Sequence, residues 1–251
     1  NFCNYVSRRW TWATTQGWRK KSNKEDHNKS IYLVENKKVT ALVPMKGHNE
    51  RVPNKNIREL NGKPVCHWIL ESISQSKYID EVIINTDSPK IKRTVASFDF
   101  VKVIDRPDYL LGDKVSIQPL IAHDIEYAKN EIILQTHSTN PLLKTETIDS
   151  AIKTFFENNE EHDALFSVSP VQQRFYFKNR KAVNHDPQNL IQTQLLEPLF
   201  HENSCIYIFS KDVNRKVKNR LGNNPFFFEI DHLEAADIDE WHDFLWVEFL
   251  M

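Results

Sequence analysis

Glycine is scarce in this chain, with five in 251 residues, and only Gly47 falls in the loop after the first strongly apolar run. That scarcity excludes the P-loop and the dinucleotide fingerprint, which need several glycines at fixed spacing so that backbone amides can wrap a phosphate. Backbone amides alone therefore cannot carry phosphate binding here. Cysteine is sparse too: Cys3, Cys66 and Cys205 are too few and too scattered for a disulfide framework or a zinc site, which points to a reducing compartment. Cys66 and Cys205 sit among apolar residues and read as small core fillers rather than nucleophiles. No apolar run approaches the roughly 20 residues that span a bilayer, so the chain reads as soluble, with no membrane partner. Charge of one sign is also missing. With 33 Lys and Arg against 34 Asp and Glu, the formal net charge is −1, and no global field favours nucleic acid or an anionic membrane. Any anion must be captured by local clustering, so the expected ligand is small. Residues 1–24 have no Asp or Glu but carry Arg8, Arg9, Arg19, Lys20, Lys21 and Lys24. That is the flavour of a transit peptide or of a poorly ordered extension, so residues 1–37 are set apart from one domain over 38–251. The expected location is the cytoplasm, or an organelle if that segment is an address.

What the chain does have is an apolar content of 40%, enough for a proper core. From Lys38 onward, short β-rich runs alternate with helical patterns, which predicts an α/β fold with a mostly parallel sheet and flanking helices. Strands are expected at Val39 to Met45, Glu81 to Thr86, Phe100 to Ile104, Glu131 to Gln135 and Ala164 to Val168, then at Cys205 to Phe209 and Phe226 to Ile230. Helical stripes begin after Pro64 (Val65, Trp68, Ile69, Ile73), at Ile117 (Leu120, Ile121, Ile125, Ala128) and at Ile148 (Ile152, Phe155, Phe156), with a last helix over Glu240 to Phe249. Residues 170–202 are polar, lack a period and read as an excursion, either a flap over substrate or a dimerisation arm.

The first apolar run empties into Lys46-Gly-His-Asn-Glu-Arg51-Val-Pro-Asn-Lys55-Asn56-Ile-Arg58, four cations within one loop. Open α/β sheets bind nucleotides beyond strand ends, and polyphosphate needs clustered cations, so this loop reads as a triphosphate cradle; the alternative is a solvated basic loop. Polar clusters at other strand ends converge on the same crevice: Asn85-Thr86-Asp87, Arg106-Pro107 with Asp113 and Ser116, and Gln135-Thr136-His137-Ser138. Each is weak alone, since Asp87 and Asp113 could cap helices and His137 could be an ordinary polar residue. Asp237 and Asp239 alternate around Ile238, and in an extended segment i and i+2 side chains share a face, so both can address one hard cation such as magnesium. Helix capping competes for Asp239 and a nearby cation for Asp237.

With these motifs in order, the chain from about Val39 to its end resembles the acylneuraminate cytidylyltransferase family. The resemblance rests on Val-Pro-Met45-Lys46 through Arg58, Asn61-Gly62-Lys63-Pro64, Asn85-Thr86-Asp87, Arg106 through Asp113, Gln135 through Pro141, and Ala236-Asp237-Ile238-Asp239. It implies a Rossmann-like nucleotide-diphospho-sugar transferase fold, usually dimeric, that uses CTP, magnesium and a sugar acid. Lys46 falls on a phosphate-binding arginine, Lys55 on a phosphate-binding lysine, Asn56 on its neighbour, Arg106 near the cytosine, Gln135 near the acceptor sugar, and Asp237 with Asp239 on the metal pair. Met45, Arg51 and Ser116 complete the expected nucleotide set, and His137 and Asn203 join Gln135 in the sugar set. Lysine at 46 keeps the charge but loses the bidentate fork. The loop from Gln135 to Pro141 is two residues longer than the usual Gln-Pro-Thr-Ser-Pro. The arginines that many members place near the sugar carboxylate are missing where Phe200-His201-Glu202-Asn203 and Gln192-Thr193 stand. A nucleotidyltransferase for another sugar or base, or a non-catalytic nucleotide-binding relative, remain the alternatives.

Overall fold

The computed structural model describes residues 37–251, so the basic extension lies, but for Lys37, outside the described residues. Nine strands alternate with six helices there. They run β1 (Val39–Leu42), β2 (Glu59–Leu60), β3 (Lys63–Pro64), α1 (Val65–Ser74), β4 (Ile79–Thr86), α2 (Pro89–Val95), β5 (Val101–Asp105), α3 (Ile117–Asp124), β6 (Ile132–Gln135), α4 (Thr145–Asn158), β7 (Ala164–Val171), β8 (Leu199–Ser210), α5 (Lys211–Val217), β9 (Pro225–Glu229) and α6 (Trp241–Leu250).

Seven strands form one sheet in the order β5-β4-β1-β6-β8-β7-β9, and β2-β3 form a small separate ribbon. All neighbours pair in parallel except at β8, which runs antiparallel to both β6 and β7. Helices carry the chain back across the sheet between the parallel strands, but no α-helix intervenes between β7 and β8, so no crossover is made and antiparallel pairing follows. β1 lies inside the sheet between β4 and β6 and is buried at all four positions, as expected of a strand covered on both faces. One face packs α1 and α4 through Ile69, Ile73, Ile152 and Phe155. The other packs α3 through Ile121, with Ile125 just beyond its end. Expected α3 residues beyond Asp124 form a single 3-10 turn, Ile125–Tyr127, instead of continuing the helix.

A third, smaller apolar cluster decides where the two ends of the domain meet. Leu60 of the ribbon, Val65 of α1, Ile238, and Phe244 and Val247 of α6 pack together. Fully burying Ile238 is worth about 2–3 kcal/mol. This cluster docks the segment carrying Asp237 and Asp239 beside the loop that leaves β1. Among the described residues, no helix is long and apolar enough to cross a membrane.

Candidate active site

The loop after β1 is held before it offers any cation. Val43 and Met45 donate to the carbonyls of Ile83 and Asn85 at 2.9 and 3.0 Å, prolonging the β4 pairing past Pro44, which has no N–H to give. Met45 is buried and its side chain belongs to the core, so it supplies no lining side chain. Asn56, also buried, donates to the Lys46 carbonyl at 2.8 Å and accepts from the Ser138 hydroxyl at 2.8 Å. Its amide thus staples the loop to the segment after β6. The Gly47 N–H donates to the Asp87 carboxylate at 2.7 Å, which gives Asp87 a role other than capping, while Ser88 caps α2. A Cβ on Gly47 would stand 2.8 Å from the Ser88 Cβ, so only glycine allows this approach.

Lys55 and Arg51 reach the acidic segment. Lys55, only 13% exposed, donates to the Ile238 carbonyl at 2.5 Å and to Asp239 at 3.1 Å. Arg51 meets Asp239 at 2.9 Å and Glu240 at 3.3 Å. Asp239 is not the cap of α6: Glu240 and Asp243 form a reciprocal capping box there, which leaves the Asp239 carboxylate to the cradle. Burial works to raise its pKa, but Lys55 and Arg51 outweigh that and hold it below the usual carboxylate value. The same Asp239 charge raises the Arg51 pKa. Asp237 behaves oppositely. Burial, reinforced by Asp239, pushes its carboxyl up against the pull of Thr139 and Lys55, and its Oδ1 is buried with no hydrogen-bond partner among the described residues. An unpaired buried carboxylate oxygen beside a second carboxylate is a donor set that a hard divalent cation would satisfy.

Two cavities adjoin here, sharing Lys46 and Asp113, whose side chains pair at 2.6 Å. One, about 250 Å³, is lined by Lys46, Arg51, Lys55 and Asp239 and is polyionic. The other, about 260 Å³, is walled by Pro44, Leu110, Ile117 and Leu120, with Arg106, Ser116 and His137 as its polar groups. Arg106 is fixed by Asn85, donating to its side-chain oxygen at 2.8 Å and to its carbonyl at 3.1 Å. The Asn85 amide in turn donates to buried Asp124 at 2.6 Å. Ser116 stands at the N-cap of α3 without a side-chain cap bond, so its hydroxyl remains available to the cavity. A larger cavity of about 400 Å³ between α3 and α5 contains none of the expected residues.

Gln135, at the end of β6, is buried and accepts from Arg220 at 2.5 Å. His137 stays neutral. Burial lowers its pKa to about 4, helped by the nearby charges of Arg220 and Lys55 and opposed by Asp239. Its Nε2 is buried and unpartnered, as is the Thr136 hydroxyl. Asn203 departs from expectation: its side chain is spent inside the sheet, accepting from Ser167 at 2.6 Å and donating to Ser169 at 2.9 Å. It ties β7 to β8 and has no free group for a sugar. Arg220 is the residue that sequence reasoning overlooked, because it lies in a short loop between α5 and β9 and carries no motif.

The profile of the cytidylyltransferase family matches residues 40–238. The chain belongs to this family. It is 25% identical over 224 residues to post-translational flagellin modification protein B of Campylobacter coli, covering 85% of this chain and 94% of that one. It is 24% identical over 181 residues to a pseudaminic acid cytidylyltransferase of Campylobacter jejuni, covering 68% and 77%. In fold it is similar to a CMP:2-keto-3-deoxy-manno-octonic acid synthetase solved with CTP, with a TM-score of 0.65 at 15% identity, covering 85% and 98%. As a cytidylyltransferase the protein is a nucleotidyltransferase. One consequence for this cytidylyltransferase follows from Gly47. Gly47→Ala must push the loop off Ser88, at a cost of about 1–3 kcal/mol. The expected result is a melting temperature lower by several degrees and a smaller CTP-induced rise, both read by thermal denaturation.

Proposed function

We propose that this cytidylyltransferase transfers CMP from CTP to the anomeric hydroxyl of a 2-keto-3-deoxy sugar acid of the sialic, related nonulosonic or octulosonic type, releasing pyrophosphate with magnesium as cofactor. The observation that carries the reading is the meeting of the cradle and the acid pair on one crevice, with Lys55 3.1 Å from Asp239. Lys46, Arg51 and Lys55 line the polyionic cavity, suited to a triphosphate, while the cavity with apolar walls next to it, with Arg106 and Ser116, suits the nucleoside.

Phosphoryl transfer depends on positioning and charge neutralisation more than on covalent help. On this reading Lys46, Arg51 and Lys55 exchange their carboxylate partners for phosphate oxygens when CTP enters. Asp237 and Asp239 would hold magnesium, which supplies charge neutralisation at the phosphates and lowers the pKa of a bound hydroxyl. Gln135, bonded now to Arg220 and to the Thr136 carbonyl, would exchange one of those bonds to orient the acceptor, and the neutral His137 offers Nε2 to a hydrogen-bonding group of the substrate. No side chain here is assigned as general base. Exposed Tyr176, Phe177, Leu190, Ile191 and Leu195 on the excursion between β7 and β8 supply the apolar surface through which two copies would pair as a cytoplasmic homodimer.

The test is a pyrophosphate-release screen with CTP and magnesium against N-acetylneuraminic, legionaminic, pseudaminic and 3-deoxy-manno-octulosonic acids, with ATP, GTP and UTP in parallel. Release with CTP and at least one acid supports the reading. CTP binding of ordinary affinity with no release from any acid would point to a non-catalytic nucleotide-binding protein.

A further inference from the structure

We infer that Arg220 is the receptor for the carboxylate of the acceptor sugar acid, held ready by a turn built for that purpose. This rests on the sugar-acid reading above and adds the group that makes acidity a requirement. The guanidinium is only 12% exposed, yet the carboxylate nearest to it, Glu202, stands 3.8 Å away. That distance is beyond hydrogen-bond length, and the same Glu202 oxygen already accepts from the Tyr207 hydroxyl at 2.5 Å. Among the described residues its one hydrogen bond goes to the Gln135 side-chain oxygen. A nearly buried arginine is ordinarily satisfied by a carboxylate, because leaving a desolvated charge unpaired is costly. Here the rest of the planar fork has only the 3.8 Å contact with Glu202 and the face of Tyr207, and a carboxylate is the group that matches it with two parallel bonds.

The guanidinium is also aimed. It lies 3.5 Å from the centroid of the Tyr207 ring, which fixes its plane. The turn beneath it is over-determined: Asn219 Oδ1 accepts from the N–H groups of Leu221 and Gly222 at 2.7 and 2.9 Å. Asp163 accepts from the N–H groups of Asn223 and Asn224 at 2.8 and 2.9 Å. Gly222 has φ +68°, and a Cβ there would stand 2.3 Å from Asp163. The groups beside the fork are those already placed near the acceptor, Gln135 by direct bond and His137 through the field that Arg220 exerts on it. Thr136 and His137 each leave a buried polar atom unpartnered, so two unfilled hydrogen-bonding positions follow Gln135, the residue to which this cation is bonded. A neutral sugar would leave Arg220 desolvated with only the long Glu202 contact as counter-charge. The site therefore selects acids by penalising acceptors that lack a carboxylate.

The experiment compares wild type, Arg220→Met and Arg220→Lys at saturating CTP and magnesium. The acceptors are N-acetylneuraminic, pseudaminic and 3-deoxy-manno-octulosonic acids and the carboxamide of whichever acid turns over best. The expected result is a rise of at least thirtyfold in KM for the acid in Arg220→Met, partial recovery in Arg220→Lys, and a CTP-induced melting shift equal to wild type in both. Wild type should prefer acid to carboxamide by at least thirtyfold, and Arg220→Met by less than threefold. Turnover in wild type with an unchanged acid KM in Arg220→Met overturns the inference and leaves the proposed function standing. A CTP-induced shift that falls in both variants in step with turnover also overturns it, because Arg220 would then be a structural prop. If wild type neither binds nor uses any of the acids, both readings fall together.

Discussion

Asp237→Asn should abolish turnover while leaving the metal-free protein as stable as wild type or more so. The two effects have opposite signs because the carboxylate is costly to the fold and valuable to the chemistry. Asp237 is half-buried, its Oδ1 is enclosed with no partner among the described residues, and desolvation pushes its pKa up. A neutral amide of the same shape removes the buried charge and its repulsion from Asp239. In EDTA the melting temperature should therefore stay level or rise by a few degrees. Magnesium should raise the melting temperature of wild type, as any ligand that prefers the native state must, and leave that of the variant unmoved. Turnover should fall about a thousandfold, roughly 4 kcal/mol of transition-state stabilisation. Initial rates with CTP and the best acceptor, set beside calorimetric scans with and without magnesium, give both readings. Turnover within tenfold of wild type would remove the metal assignment.

The sheet was legible because its strands are short apolar runs separated by stripes of helical period, and burial on both faces leaves little ambiguity in such runs. Val39–Leu42, buried at every position, is such a run, and Thr145–Asn158 is such a stripe. The reversal of β8 was not legible, because strand direction depends on what connects two strands and the residues between Val171 and Leu199 carry no period. The meeting of Lys46, Arg51 and Lys55 with the acidic segment was legible only through the family resemblance, and the agent that brings them together is Ile238, flanked by the two aspartates and reading as spacing rather than as an anchor. Asn203 and Arg220 show where residue type misleads. An asparagine in a polar stretch looked available but is consumed by two serines of the neighbouring strand. An arginine in a loop without a motif drew no reading but is folded onto Tyr207. Both outcomes are set by tertiary partners far away in the chain, which no local pattern encodes.

Lys55→Met should weaken CTP and strengthen a divalent cation bound alone. Lys55 is the most enclosed cation of the cradle, and it divides its ammonium between the Ile238 carbonyl and Asp239. Methionine keeps length and apolar contact but not charge. Without the ammonium a triphosphate loses an interaction in a partly desolvated cavity, and kcat/KM for CTP should fall about a hundredfold or more, roughly 3 kcal/mol. Asp239, no longer neutralised by Lys55, becomes a better partner for Asp237 around a cation, so manganese or magnesium added without nucleotide should bind several-fold more tightly by calorimetry. The variant also leaves the Ile238 carbonyl without its donor, a loss of about 1–2 kcal/mol, and the divalent ion should restore part of the resulting fall in melting temperature. Arg51→Ala is the control. It removes the other cation on Asp239, but that side chain is more than half exposed, and an exposed ion pair contributes little, so its effect on CTP should stay within about tenfold. A Lys55→Met protein that binds CTP as wild type does would place the triphosphate elsewhere, and tighter CTP binding in Arg51→Ala than in wild type would show that the exposed arginine competes with the nucleotide instead of receiving it.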